Sequence, residues 1–109
     1  MGVQKRKKIL IYRKAPGEKP RQILVRNELK ELQELVGGYI ETVTLFADLT
    51  IICNEEGRLH GLPYNCEVCG VGFVGTILFV GVKGDRFTDV PREACLWLDD
   101  MDEEGTWEQ

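Results

Sequence analysis

Residues 32–65 of the chain read LQELVGGYIETVTLFADLTIICNEEGRLHGLPYN, and the fold can be read outward from them. Residues 39–45 alternate in polarity as a β-strand does, and the apolar residues 49–53 predict a second strand after a short turn. Residues 54–57, Asn-Glu-Glu-Gly, predict a type I turn closed by a glycine bulge. The stretch therefore predicts an antiparallel strand pair with one face toward a core.

A short helix is predicted just before this strand pair. Its apolar residues recur at helical spacing: Leu29, Leu32, Leu35 and Val36. Asn27 can cap the first turn, because its side-chain oxygen can accept a hydrogen bond from a free amide there. Gly37 can end the helix, since glycine adopts the left-handed conformation without a Cβ clash. A helix of about ten residues is marginal alone, so we expect it to dock on the sheet.

Three further strands are predicted outside this stretch. Residues 8–13 and 21–26 predict a hairpin, because the turn formers between them cannot continue a strand. Residues 76–82 are apolar on both faces, which predicts a covered central strand. The fold class is therefore α+β, a small and mostly antiparallel sheet with one short helix after the second strand and a C-terminal helix.

A C-terminal helix is predicted with Pro91 in its first turn, where the missing amide of proline costs nothing. Thr88 or Asp89 is the predicted cap of this helix. With 109 residues and no linker the chain predicts a single domain. Residues 1–7 are interpreted as a basic N-terminal arm, and residues 102–109 as an acidic tail that frays.

Charge is distributed unevenly along the chain. Residues 1–30 carry a local net charge of +8, whereas residues 31–109 carry −12, and the total is −4. One interpretation is a basic arm for phosphates or an acidic partner and an acidic surface for a basic protein. The other is that both regions are solvated faces that keep the protein in solution.

Several partners and compartments can be weighed from composition. The basic run 5–8 lacks interleaved aromatic residues and a known motif, so nucleic-acid binding is not favoured. The apolar patch 9–12 behind it is too short for a signal peptide. No apolar run approaches the roughly 18 residues that a bilayer span needs. We expect the host-cell cytoplasm as the compartment, with no membrane partner and an oligomeric state that the sequence leaves open.

The glycine-rich segment 70–75 spells GxGxxG, but its context argues against a dinucleotide site. The fingerprint requires a strand before the loop and a helix after it, whereas here an apolar β-type run follows. We therefore predict a flexible loop that enters a strand. The inventory of catalytic side chains is thin, since His60 is the only histidine, and no enzymatic activity is expected.

The four cysteines leave metal binding open. Cys66 and Cys69 have the CxxC spacing of a zinc knuckle, in which two thiolates share one metal ion. A structural zinc site needs four ligands, and Cys53, His60 or Cys95 could complete it only if the fold brings them close. The alternatives are a redox pair or four reduced, unligated thiols. No cofactor is expected, with zinc at Cys66 and Cys69 as the alternative.

Glu41 is the most interesting acidic residue, because it shares a strand face with Tyr39 and two apolar side chains. A carboxylate buried on that face needs a partner, and Arg26 or Arg58 would serve. The alternative is an ordinary ion pair on an edge strand. Glu55 and Glu56 are adjacent on a turn, where their side chains diverge, so we interpret them as a solvated acidic tip.

The strings LQELVGGYIETVTL, CNEEGRLHGLPYN and GTILFVG together resemble a domain-of-unknown-function family of small proteins from phages and mobile elements. The resemblance covers residues 8–82. The positions that match the family's pattern are Gly37, Gly38, Tyr39, Glu41, Asn54, Glu55, Gly57, Pro63 and Asn65. The CxxC segment departs from that pattern, so a metal site would be particular to this chain.

The resemblance implies a phage-type setting, in which small acidic proteins often antagonise host defence. We therefore expect a non-enzymatic accessory protein that binds a host effector, as an anti-CRISPR or anti-restriction inhibitor does. The alternatives are a small-molecule or nucleotide-signal sponge and a zinc-stabilised adaptor. The candidate binding residues are Tyr39, Glu41, Asn54, Glu55, Glu56, Tyr64 and Asn65.

Overall fold

The computed structural model describes residues 8–106, and their main feature is a six-stranded antiparallel sheet. The elements in chain order are β1 Lys8–Lys14, β2 Arg21–Arg26, α1 Leu29–Val36, β3 Ile40–Phe46, β4 Leu49–Asn54, β5 Tyr64–Val68, β6 Val71–Val74, β7 Ile77–Lys83, β8 Arg86–Thr88 and α2 Arg92–Asp100. The strand order is β2-β1-β7-β4-β3, with β8 also paired to β7. The predicted α+β class, with its two helices, is confirmed.

The core lies on both faces of the sheet. On one face α1 buries Leu32 and Val36 against β-strand residues such as Ile11 and Leu78. On the other face α2 and the separate hairpin of β5 and β6 enclose a second cluster around Phe79. The result is a three-layer arrangement with the sheet in the middle. Neither helix of the described chain is long and apolar enough to cross a membrane.

The hairpin of β5 and β6 was not predicted from the sequence. Its turn contains Cys69 at φ 51° and Gly70 at φ 82°, and two consecutive positive φ values suit a two-residue hairpin turn. The interpretation of residues 71–74 as a loop is wrong, because they pair with β5 as a strand. The strand forms because Phe73 is buried in the core, a contact that local sequence does not reveal.

The two predicted side-chain caps are also wrong. Helix α1 begins after Glu28 rather than Asn27, and the Asn27 amide donates to the carbonyl of Phe87 at 2.9 Å. Helix α2 begins after Pro91, while the Asp89 carboxylate accepts the amide of Leu10 at 2.8 Å. Both polar side chains thus serve tertiary contacts. The predicted Gly37 stop is confirmed, with φ 83°.

Residues 102–106 form an ordered turn, which differs from the predicted frayed tail. The Asp102 carboxylate accepts the amides of Glu104 and Thr106, each at 2.9 Å, and the Thr106 hydroxyl at 2.8 Å. These hydrogen bonds lower the pKa of Asp102. Gly105 is buried against Cys66, which fastens the turn to β5. The basic arm 1–7 and residues 107–109 lie outside the described range.

Candidate functional site

A cleft of about 270 Å³ lies between β3, the end of β4, the turn that follows β4, and strand β6. Its apolar lining comes from Val43 on β3, Leu59 on the turn and the β6 side chains. Its polar lining comes from Glu41, Asn54, Glu55, Glu56 and Arg58. We call this feature the acidic cleft. It gathers four of the seven binding residues predicted from the sequence.

The position of β3 in the sheet explains how the acidic cleft forms. β3 is an end strand, so the face that carries Val43 is only partly covered. Glu41 pairs in register with Cys53, which points into the core, and Glu41 itself is exposed. The turn after β4 places Glu55 and Glu56 in the same cleft as Glu41. The predicted shared face of Glu41 and Val43 therefore becomes one wall of a cleft.

The rim of the acidic cleft carries three carboxylates and one guanidinium. Arg58 donates to the Gly72 carbonyl at 2.9 Å and holds the turn against β6. Glu56 lies 3.4 Å from the ring of His60. Within residues 8–106 no ion pair involves Glu41. Since Glu41 is exposed, it needs no internal partner, and the rim is suited to a cationic group.

Cys53 lies at the base of the acidic cleft and is only 8% exposed. Burial raises the pKa of its thiol from 9.0 to about 11; Glu41 adds to the rise, and Arg58 opposes it. The thiol is therefore protonated at neutral pH. A protonated thiol is a poor nucleophile, so Cys53 acts as an apolar wall of the cleft.

The raised pKa of Cys53 predicts a loss of stability at alkaline pH. In the unfolded chain the thiol ionises near pH 9, whereas in the folded protein it ionises near 11. The protonated thiol therefore contributes its full share to the free energy of unfolding below about pH 9. That contribution falls by about 2 kcal/mol as the pH rises to 11.

Urea denaturation at pH 8 and pH 11 tests this, with Cys53→Ala as the comparison. We expect the alanine variant, although less stable at pH 8, to lose about 2 kcal/mol less between the two pH values. Because Tyr12, Lys14 and Cys66 are present in both proteins, their titration cancels in the difference. An equal loss of stability in both proteins between pH 8 and pH 11 would contradict the raised pKa of Cys53.

Asn54 has a structural role in addition to lining the acidic cleft. Its side-chain amide donates to the Val36 carbonyl at 3.2 Å, and its oxygen accepts the Glu56 amide at 2.8 Å. A Cβ at Gly38 would lie 2.9 Å from the same side chain. Asn54 thus joins the end of α1 to the acidic turn, which explains the Gly-Gly break as well.

Asn65 lies in the interior rather than in the acidic cleft. Its side-chain oxygen accepts the Lys14 ammonium at 2.8 Å, and its amide donates to the carbonyls of Lys14 at 2.8 Å and Gly75 at 2.7 Å. Lys14 is fully buried and also donates to the Glu103 carbonyl at 2.8 Å. We call Lys14, Asn65 and these carbonyls the lysine clasp.

Burial lowers the pKa of Lys14, while Cys66, Asp102 and Glu103 oppose the change. The lysine clasp joins β1, β5, the turn between β6 and β7, and the C-terminal turn. Lys14 was not among the residues predicted from the sequence. The signal was present, because Leu10, Tyr12 and Lys14 alternate on one face of an apolar strand.

Two predicted binding residues are aromatic and exposed. Tyr39 is 68% exposed, just before β3, and Tyr64 is 61% exposed on the outer face of the hairpin. Gly72 lies between Tyr64 and Arg58, since a Cβ built on it would be 3.6 Å from the Tyr64 ring and 3.8 Å from the Arg58 guanidinium. Gly72 and Arg58 also line the acidic cleft, so the exposed Tyr64 ring is continuous with its rim.

The two cysteines of the CxxC segment differ in exposure. Cys66 is buried in the core, where burial raises the pKa of its thiol, whereas Cys69 is exposed at the hairpin turn. Across the described residues no three His, Cys, Asp or Glu side chains converge to hold a metal ion. Zinc at these cysteines stays a prediction.

The fold and the site together define a small three-layer α+β domain with an acidic cleft at one edge of its sheet. Residues 8–102 match the family described as Domain of unknown function (DUF3846), and the chain belongs to this family. The predicted membership of a domain-of-unknown-function family is thereby confirmed. Neither the curated proteins nor the solved structures contain a match to this chain.

Proposed function

We propose that this protein is a non-enzymatic binding factor whose acidic cleft takes a basic segment of a protein partner. The observation that carries the proposal is the grouping of Glu41, Glu55 and Glu56 around an apolar cleft. Carboxylates on an apolar base favour a lysine or arginine side chain, since its stem packs while its charge pairs.

The partner we propose is an effector of host defence, such as a CRISPR nuclease or a restriction complex. Such effectors bind nucleic acids through basic grooves, and an acidic protein can occupy a groove of that kind. The mobile-element setting rests on the sequence resemblance described above. The acidic cleft supplies the chemistry with which the protein would compete for the groove.

The arrangement of charge in the sheet supports a directional contact. Strand β2, with the exposed residues Arg21 and Arg26, lies at one edge of the sheet, and β3 with the acidic cleft lies at the other. A molecule with opposite charge at its two edges is oriented by the field of a charged partner before contact. We therefore expect the β3 edge to face the basic partner.

A second candidate is the binding of a small molecule. Of the four residues on which we base this candidate, Glu41 and Asn54 line the acidic cleft, whereas Tyr39 and Asn65 lie outside it. An acidic rim also repels phosphate, so a nucleotide signal fits less well than a cationic or neutral ligand. Thermal-shift measurements with cyclic nucleotides and with polyamines separate these cases.

The proposal is tested by reversing the three rim charges together in Glu41→Lys, Glu55→Lys and Glu56→Lys. A matched control reverses three exposed acids elsewhere: Glu34→Lys, Asp85→Lys and Asp100→Lys. In plaque assays on hosts with defined defence systems, we expect the wild type and the control to raise plaquing on one defended host. The cleft variant should lose at least about tenfold of that effect, because three attractive pairs become repulsive.

Equal plaquing with and without the gene on all defended hosts would contradict the anti-defence role. If the control variant failed as badly as the cleft variant, net charge rather than the acidic cleft would be responsible. Affinity purification with both triple variants completes the test, since a specific partner should be retained by the control and lost by the cleft variant.

A further inference from the structure

Strand β3 has one edge without a strand partner among the described residues, because it ends the sheet and pairs only with β4. The carbonyl of Tyr39 accepts the amide of Glu55 at 2.8 Å. The backbone groups of successive residues in an antiparallel strand point alternately to its two sides. The backbone amides and carbonyls of Glu41 and Val43 therefore face β4, as the Tyr39 carbonyl does. The amides and carbonyls of Ile40, Thr42 and Thr44 therefore point to the open edge.

The turn at the other end of the strand pair gives the same result. Phe46 and Leu49 flank a two-residue turn, and a bulge between Thr44 and Phe46 shifts the register by one residue. Across that bulge, Thr44 pairs with Thr50, whose neighbour on the other side is Val80 of β7. The Val82 amide donates to the Asp48 carbonyl at 3.1 Å, so by alternation the backbone groups of Thr50 are also directed to β7, and those of its partner Thr44 are directed outward.

Two acidic hollows lie at the two ends of this open edge. The first is the acidic cleft, at Glu41. The second, of about 300 Å³, is lined by Phe46, Trp97 and other apolar residues together with Asp48 and Glu93. Val43 and Leu45 connect the hollows as half-buried residues on the same face. At roughly 3.3 Å per residue, the five steps from Glu41 to Phe46 span about 16 Å.

We propose that the partner binds by strand addition, with an extended basic segment hydrogen-bonded to the open edge of β3. This inference rests on the proposed function and specifies how the partner is held. Backbone hydrogen bonds to Thr42 and Thr44 supply affinity, and side chains that alternate onto the cleft face supply specificity. A lysine or arginine opposite Glu41 reaches the acidic cleft, and a second one, four residues further along and therefore on the same face, reaches Asp48 and Glu93.

The probe is a synthetic octapeptide that alternates lysine and valine, blocked at both ends. In antiparallel pairing a lysine opposite Glu41 turns its own amide away from β3, whereas the valines opposite Thr42 and Thr44 turn theirs toward it. The matched control therefore carries N-methyl groups on the valine amides, which keeps the charge and removes the donors that face β3. Titration calorimetry should show binding of the first peptide and at least about tenfold weaker binding of the second, since several hydrogen bonds are lost together. An octapeptide with glutamate in place of lysine should not bind.

Two variants of Thr42 test the protein side of the contact. Thr42→Pro removes an outward amide without removing a bond to β4, whereas Thr42→Ala keeps that amide. We expect Thr42→Pro to weaken peptide binding about 3- to 10-fold and Thr42→Ala to leave it unchanged. Amide hydrogen exchange of wild-type Thr42 and Thr44 should slow when the lysine peptide binds, a readout that does not depend on any variant's folding.

Strand addition is overturned if the lysine peptide does not bind, if both peptides bind equally, or if exchange at Thr42 and Thr44 does not change. If plaquing still depends on the rim carboxylates in any of these cases, the proposed function survives and only its geometry fails. Wild-type self-association that Thr42→Pro abolishes would make a second copy of this chain the occupant and would also overturn the proposal.

Discussion

Replacing Asn65 by alanine should lower the free energy of unfolding by about 3–5 kcal/mol, since the buried Lys14 ammonium then loses a partner. The side chain satisfies three groups at once: the ammonium and the carbonyls of Lys14 and Gly75. Asn65 is only 5% exposed, so water cannot replace these bonds without entering the core. Urea denaturation at neutral pH gives the measurement.

A double-mutant cycle separates the lysine clasp from ordinary packing. Lys14→Met removes the charge that requires Asn65, although the Glu103 carbonyl then loses a donor. We expect the combined Lys14→Met and Asn65→Ala variant to be more stable than the sum of the single losses predicts, because no unpaired charge remains. Additivity within about 0.5 kcal/mol would contradict a coupled clasp.

Gly81→Ala should destabilise the protein by about 3 kcal/mol or more, the upper range for overpacking, because the obstacle is backbone. Gly81 lies on β7, where the chain leaving β8 crosses the strand, and a Cβ there would overlap the carbonyl oxygen of Asp89. Two hydrogen bonds with the backbone of Leu10 hold that crossing: the Leu10 amide donates to the Asp89 carboxylate, and the Val90 amide donates to the Leu10 carbonyl. A shift to make room would therefore disturb the first residues of β1 as well.

Gly84→Ala is the matched control for Gly81→Ala. Gly84 lies in the turn between β7 and β8, at φ 65°, and a Cβ at this position would meet nothing within 4 Å. Its cost should be limited to the left-handed backbone, about 1 kcal/mol. Thermal or urea unfolding of both variants gives the comparison. A Gly81→Ala variant as stable as Gly84→Ala would contradict this prediction, because it would show that the backbone at Asp89 can move aside at little cost.

The strands and the first helix were largely predictable because their signals are local. The alternation in residues 8–14 and 21–26, and the apolar run from Ile77, follow from which side chains a sheet can bury. Gly37 ends α1 because its backbone has φ 83°. Asn27 and Asp89 misled the prediction, since a short polar side chain can cap a helix or bind a distant backbone group equally well.

The candidate site was predictable only in part. Glu41, Glu55 and Glu56 follow from polar residues on a strand face and at a turn tip. The opposite wall of the acidic cleft comes from β6, and whether residues 71–74 form a strand depends on Phe73 reaching the core. Asn65 resembles a surface residue in sequence, and only its pairing with Lys14, 51 positions away, makes it structural.

The α+β class, the first and last residues of most strands and the acidic character of the turn after β4 follow from the order of the amino acids alone. These features depend on the period of apolar side chains and on charge, which neighbouring residues define. Three others required the folded chain: that β3 ends the sheet, that β6 closes the acidic cleft and that Lys14 is buried. Each of these depends on contacts between distant segments, whose burial and hydrogen bonding outweigh local preference.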